Sequence, residues 1–396
     1  MAQTSPSPFA RPDPGLRIKE GAPPLRRLPR EEAASLPRKA LDAIDRIGRM
    51  QAGCLSSGGY DLGWVEGRHF VVAGGTGTGL GGALSIVLEE SLRGSGSLTV
   101  ISRDLTRSLG YEMGVALERM ALSSGMANRF HWLNDGLALE GRQFGRIVAA
   151  LKEAGAGRVV YINTVAAAHC GLLPGYPPVF VKDVDDQGLF QWRLAPLEAA
   201  AIEATKFVMG TMAVGFPCSL EQEGIQVEAA AFADWRGSLD RISRDPTREE
   251  YGRQGAYSTS LYLPKDIIQE AVRTAYMSGR IVIDCFFPIM RTQALSFVPG
   301  GYAMSYLYDW LMQKEGVRRK EVPELAVAML DRIGRAISGE YYNPFPRLDE
   351  HEAPLDLWFF EILTRLSNDE DSDFYYERFL PSRKQAAAGA FEEMPA

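Results

Sequence analysis

The chain has 396 residues, 46% of them apolar and 23% charged, with a net charge of −7. That length and balance suit a folded protein with a large core, and the acidic surplus gives no general attraction to nucleic acid or to anionic membranes. No apolar run approaches the ~20 residues needed to cross a bilayer, so no membrane span is expected. No apolar signal core opens the N-terminus, and the expected location is cytoplasmic.

Residues 1–35 are rich in Pro, Arg and Ser without an apolar period, and are expected to form a flexible arm. Residues 36–385 are expected to form one enlarged domain, followed by a polar tail over 386–396. Leu36, Ala40, Ile44, Ile47 and Met50 recur at helical spacing and predict a packing helix over 36–52.

The stretch from Arg68 to Glu90 sets the pattern of the domain. A β-branched run, Phe70-Val71-Val72-Ala73, breaks into Gly74-Gly75-Thr76-Gly77-Thr78-Gly79-Leu80 and then opens an amphipathic segment from Ala83 to Glu90. Strand, glycine turn and helix in that order suit a dinucleotide pyrophosphate. Glycines let the backbone approach the phosphates, and free N–H groups at the helix start attract the anion.

Gly96 to Ser102 reads as a second strand, which places Ser102 and Arg103 where nucleotide folds read the adenosine ribose. An acidic residue there selects NAD, whereas an Arg beside a hydroxyl accommodates a 2′-phosphate; Ser102, Arg103 and Arg107 therefore favour NADPH over NADH. Phe130 to Asn134 is a third strand, with Asp135 placed to meet the adenine edge and Asn134 beside it a further coenzyme-binding candidate. A helix is expected over 143–154, and Arg158 to Asn163 is an apolar run suited to a strand buried on both faces. Residues 166–196 read as an irregular insertion, 196–213 as a helix, Gly224 to Phe232 as a strand and Arg280 to Phe286 as a sixth strand. Helical character is expected over 247–278, interrupted at Pro264, and over 300–385. Alternating strands and helices predict an α/β fold, a doubly wound parallel Rossmann-type sheet with ligands at the carboxyl ends of its strands.

The four cysteines are scattered without a CxxC pair, and the four histidines show no metal-binding spacing, so no metal site is expected. Cys285 lies in an apolar run and reads as core. A reductase acting on a carbonyl or an enoyl thioester needs a group to hold an enolate or oxyanion, and the usual device is a Tyr phenol beside a Lys. Tyr257 and Lys265 stand two helical turns apart, Tyr262 and Lys265 form a tighter pair, and Tyr251 lies upstream. The proton donor stays open among these three tyrosines.

The glycine turn, the segment Ala204-Thr205-Lys206-Phe207-Val208-Met209-Gly210, and Thr292-Gln293-Ala294-Leu295-Ser296-Phe297-Val298-Pro299 together resemble the trans-2-enoyl-CoA reductases and the FabV-type bacterial enoyl-ACP reductases. These are enlarged short-chain reductases, and the resemblance spans about residues 60–385. It implies a reductase of enoyl thioesters on CoA or acyl carrier protein, with Asn163, Lys265 and Thr292 by the coenzyme. The helix after Pro299 would wall the acyl pocket.

The departures are specific. Thr78 replaces a family Tyr, Arg103 replaces an acid linked with NADH, and Tyr257 to Lys265 is one residue short of the family's Tyr-x8-Lys. A second family tyrosine falls near Asp234-Trp235. Two further readings stand beside the first: reduction of a β-ketoacyl group on the same scaffold, or a catalytically inactive nucleotide-binding partner protein. A monomer or a homodimer is compatible with either.

Overall fold

The computed structural model describes residues 38–57, 59–77, 79–92, 94–102, 109–134, 136–165, 179–184, 190–195, 199–234, 267–288 and 320–348, with 290, 316 and 318. The first elements are α1 (Arg38–Ser57), β1 (His69–Ala73), α2 (Leu80–Ser91), β2 (Ser97–Ile101), α3 (Leu109–Ser123) and β3 (Phe130–Leu133). Next in the chain are α4 (Gly141–Glu153), β4 (Arg158–Asn163), β5 (Val179–Val184), β6 (Phe190–Ala195) and α5 (Ala199–Gln222). Then come β7 (Gln226–Asp234), α6 over 267–277, β8 (Val282–Phe286) and α7 (Val322–Ser338).

Six strands form one sheet in the order β3-β2-β1-β4-β7-β8, and every neighbouring pair is parallel. The chain winds outward from β1 to β3, then returns to the far side of β1 at β4. Strand order therefore reverses between β1 and β4. Parallel strands need crossovers, and the helices that supply them cover both faces, so the strands are buried on both sides.

Side-chain alternation sorts the core into two layers. Phe70, Val72, Leu98, Val100, Trp132, Val160, Ile162 and Cys285 face one way and pack with α2, α3 and the buried side of α7. Val71, Ala73, Ile101, Tyr161, Ala230 and Phe232 face the other, against α4, α5 and α6. Burial holds the Cys285 thiol well above its ordinary pKa, in keeping with a core role.

The helices form for local reasons. In α4, Phe144, Ile147, Val148 and Leu151 recur at i, i+3, i+4 and i+7 and are the residues it buries. In α7, Pro323 sits in the first turn, the Glu324 carboxylate accepts the Glu321 N–H at 2.7 Å, and Gly339 closes the end at φ 76°. A short turn, Gly63–Val65, brings Trp64 against α7. Arg68 then lies over the Trp64 ring at 5.6 Å and pairs with Glu228 at 3.1 Å, which ties the start of β1 to β7.

Three expectations need correction. Residues 166–196 are not wholly irregular: β5 and β6 pair antiparallel as a separate two-stranded sheet. The helix expected over 196–213 runs to Gln222 and continues through Pro217. The first helix runs five residues past its expected end at 52, to Ser57.

Phe216 of α5 is fully buried, stacked on Tyr161 with centroids 5.1 Å apart and edge-on to Phe144 at 5.7 Å. Phe216→Ala is expected to cost ~3–5 kcal/mol through lost burial and the cavity left behind. Equilibrium urea unfolding measures it, and a loss below about 1 kcal/mol would contradict this packing.

Candidate dinucleotide site

The carboxyl ends of β1, β2, β3 and β4 lie side by side, and the polar groups of the candidate site sit on the turns that leave them. The turn after β1 is anchored to its neighbours through the backbone. Gly74 N donates to Ile101 O at 2.7 Å and Gly77 N to Gly74 O at 3.2 Å. Gly74 adopts φ +84°, a conformation L side chains rarely take, and a Cβ there would lie 2.8 Å from Thr164 Oγ1. At Gly81, in the first turn of α2, a Cβ would lie 2.1 Å from Gly74 O and 2.6 Å from Thr164 Oγ1. Only a residue without a Cβ lets α2 approach the turn this closely.

Gly79 caps α2 without a side-chain hydrogen bond, and the first intrahelical bond runs from Ala83 N to Gly79 O at 3.1 Å. The amides of Leu80, Gly81 and Gly82 therefore open the helix with no acceptor inside it. They form the positive end of the helix dipole, above the point where strand order reverses. This cradle of bare backbone fits a pyrophosphate. Thr76 is buried within the turn, and Ser85 Oγ donates to Gly75 O at 2.8 Å, tying helix to turn.

From the other side, Thr164 donates both its N–H and its Oγ1–H to Ala73 O, each at 2.9 Å. The neighbouring Asn163 is buried, and its Oδ1 accepts Val165 N–H at 3.0 Å while its Nδ2 donates to the Tyr161 hydroxyl at 2.7 Å. Tyr161 is fully buried between Phe216 and Phe232. That burial pushes its phenol above the ordinary tyrosine range, against the opposing effect of the Asn163 bond.

At the exits of β2 and β3, Ser102 N donates to Leu133 O at 2.9 Å and Gly136 N to Ser102 O at 2.7 Å. Trp132 Nε1 donates to Ser102 Oγ at 2.8 Å, and Ser102 Oγ donates to Asn134 Oδ1 at 3.1 Å.

Of the residues singled out in the sequence, Gly74, Gly75, Thr76 and Gly77 follow β1, Gly79 and Leu80 open α2, Ser102 and Asn134 are bonded to each other, and Asn163 ends β4. Thr78, Arg103, Asp135, Tyr251, Tyr257, Lys265 and Thr292 lie outside the described residues, as do Arg107 and Tyr262. Asp234, where the resemblance sets a second phenol, ends β7 and is buried, with its carbonyl accepting Phe287 N–H at 2.7 Å. Sequence reasoning missed Thr164, Tyr161 and Trp132. Thr164 directly follows the strand whose end was singled out, which is the one signal that could have found it. Among the described residues no group of three or more His, Cys, Asp or Glu could hold a metal, and no helix is long and apolar enough to cross a membrane.

No family model matches the chain, and no curated protein matches it. Solved structures do. A Clostridium acetobutulicum trans-2-enoyl-CoA reductase in complex with NADH is 14% identical with a TM-score of 0.58, over 89% of each chain. A Treponema denticola trans-2-enoyl-CoA reductase in complex with NAD is 16% identical with a TM-score of 0.54, over 89% of this chain and 90% of that one. The chain has the trans-2-enoyl-CoA reductase fold. A second Clostridium acetobutulicum reductase structure, with NAD, agrees at 14% identity and a TM-score of 0.52, over 93% of this chain. The expected parallel Rossmann-type sheet is thus the observed one, and the similarity extends beyond that sheet to most of both chains.

Tyr161→Phe keeps the ring but removes the acceptor of Asn163 Nδ2, and is expected to cost about 1–3 kcal/mol near neutral pH. The phenol ionises near pH 10 in the unfolded chain and later in the fold, so its contribution is full below that pH and lost as pH rises past it. Stability of the variant should therefore fall less steeply above pH 10 than that of wild type, as read by urea unfolding at stepped pH. Equal slopes would contradict the buried neutral phenol.

Proposed function

We propose that the chain is an NADPH-dependent reductase of trans-2-enoyl thioesters carried on CoA or acyl carrier protein. The observation that carries this reading is the Gly74–Leu80 turn, with the open amides of α2 above the strand-order reversal, in a fold shared with enoyl-CoA reductases. The pyrophosphate would rest on the amides of Leu80, Gly81 and Gly82, and Arg103 would pair with the 2′-phosphate of the adenosine ribose. Asn163 and Thr292 would line the nicotinamide half.

When bound, NADPH supplies the hydride that adds to the β-carbon of the enoyl group. The electron pair of the double bond would move onto the thioester oxygen as an enolate, and the α-carbon would then take a proton from one of the tyrosine phenols, Tyr251, Tyr257 or Tyr262. Tyr257 would hold the enolate oxygen through its phenol, and Lys265 would lower the pKa of that phenol and bind the nicotinamide ribose. The motif from Thr292 to Pro299 supports the enoyl reading over reduction of a ketone, because general α/β patterning does not require it.

The test is consumption of NADPH, followed at 340 nm, with a trans-2-enoyl thioester and separately with a β-ketoacyl thioester. Turnover of the enoyl substrate alone is expected, and turnover of the keto substrate alone would overturn the assignment. Tyr257→Phe is expected to lower kcat by about 10²–10⁴-fold with little change in coenzyme affinity. An unchanged kcat would pass the role to Tyr251 or Tyr262.

A further inference from the structure

The chain of hydrogen bonds at the exits of β2 and β3 has a direction. An indole N–H can only donate, so Trp132 Nε1–H occupies a lone pair of Ser102 Oγ. The single hydroxyl proton of Ser102 goes to Asn134 Oδ1. With Oδ1 held toward Ser102, the Asn134 side chain turns the two protons of Nδ2 the other way, as donors to a ligand. Among the described residues nothing takes them, and Asn134 is half-buried whereas Ser102 is 6% exposed.

The donor at the head of this chain is rigidly held. The Trp132 ring is met edge-on by Tyr111, with centroids 5.4 Å apart at 60°. α3 lies directly against it, for a Cβ at Gly114 would come within 2.3 Å of the ring. The indole therefore has little freedom to turn away from Ser102.

We infer that Trp132 and Ser102 are positioning residues that fix Asn134 as a hydrogen-bond donor, through Nδ2, to an acceptor oxygen at the adenosine end of the coenzyme. Ser102 is then not itself a ligand of the 2′-phosphate. A phosphate oxygen accepts and does not donate, so beside Ser102 it would meet a lone pair, the proton being already spent. The inference rests on the dinucleotide reading above and deepens it: coenzyme choice at this corner is set by an oriented amide, while the serine acts from behind. The acceptor could be the ribose 2′-oxygen of NADH or the 2′-phosphate of NADPH, and comparing the two coenzymes separates them.

The experiment is isothermal titration of NADPH and of NADH into wild type, Ser102→Ala, Trp132→Phe and Asn134→Asp. Ser102→Ala and Trp132→Phe each release the Asn134 amide, so each should weaken, about three- to tenfold, whichever coenzyme Asn134→Asp weakens: both where the acceptor is the ribose oxygen, NADPH beyond NADH where it is the phosphate. Trp132→Phe also opens space in the core. Ser102→Ala makes the same cut without that change, and supports the inference if its losses follow the pattern of Asn134→Asp. Asn134→Asp puts a carboxylate oxygen where a donor stood. It should weaken NADPH about tenfold or more beyond NADH if the acceptor is the phosphate, and both equally if it is the ribose oxygen.

Loss of NADPH binding alone in Ser102→Ala, with Trp132→Phe and Asn134→Asp sparing the ratio of the two coenzymes, would overturn the inference by making the serine a direct phosphate ligand. Unchanged affinities in Asn134→Asp would also overturn it. Wild type that binds neither coenzyme would overturn the dinucleotide reading, and this inference with it.

Discussion

The close approach of α2 to the exit of β1 is the constraint on which the candidate site depends. The Gly74 carbonyl, the Gly81 α-carbon and the Thr164 hydroxyl meet in a space that leaves no room for a Cβ. Thr164 belongs to the turn after β4, so the contact joins the two strands between which strand order reverses. Helix, sheet and both turns are thereby held in one register. The helix start can then stand open without the turn sagging to fill it. In most helices a side-chain cap satisfies those first amides; here Gly79 supplies none, and the positive end of the helix is left facing the crevice.

Around that contact the polar groups are arranged in pairs that hold one another in orientation. Asn163 is fixed by Tyr161 on one side and by the Val165 amide on the other, and Asn134 by Ser102 and, behind it, Trp132. In both cases a buried aromatic residue on the strand orders an amide at the strand's carboxyl end. The aromatic rings are themselves locked, Tyr161 by Phe216 and Phe232, Trp132 by Tyr111 and the bare backbone of Gly114. Core packing thus reaches the crevice through two hydrogen-bonded chains, one on each face of the sheet. An amide held this way loses little conformational entropy when a ligand arrives.

The strands and the glycine turn were legible because each rests on local signals. The runs Phe70 to Ala73 and Val159 to Ile162 are apolar on both faces, as a central parallel strand requires, and α4 carries a clean helical period. The length of α5 was less legible. Apolar residues surround its helical wheel, so no period marks its end, and Pro217 reads as a stop although the helix runs on. The β5–β6 hairpin was hidden by the glycines and prolines that flank it. Yet Phe190-Gln191-Trp192-Arg193-Leu194 alternates apolar with polar, the pattern of a strand with one covered face. Ser102 and Asn134 could be placed at the ends of β2 and β3 from sequence. That they bond to each other, and that Trp132 commits the serine, depends on cross-strand register, which no local pattern encodes. The same holds for Thr164, whose importance comes from a glycine 83 positions away in the chain.

Amide hydrogen exchange followed by mass spectrometry, with and without NADPH, tests the central claim most directly, because it reports where a ligand sits. Slowed exchange is expected in peptides covering 74–84, at the turn and the start of α2, with further protection at 98–102 and 130–136. Protection confined to other segments, with 74–84 unchanged at saturating NADPH, would contradict it.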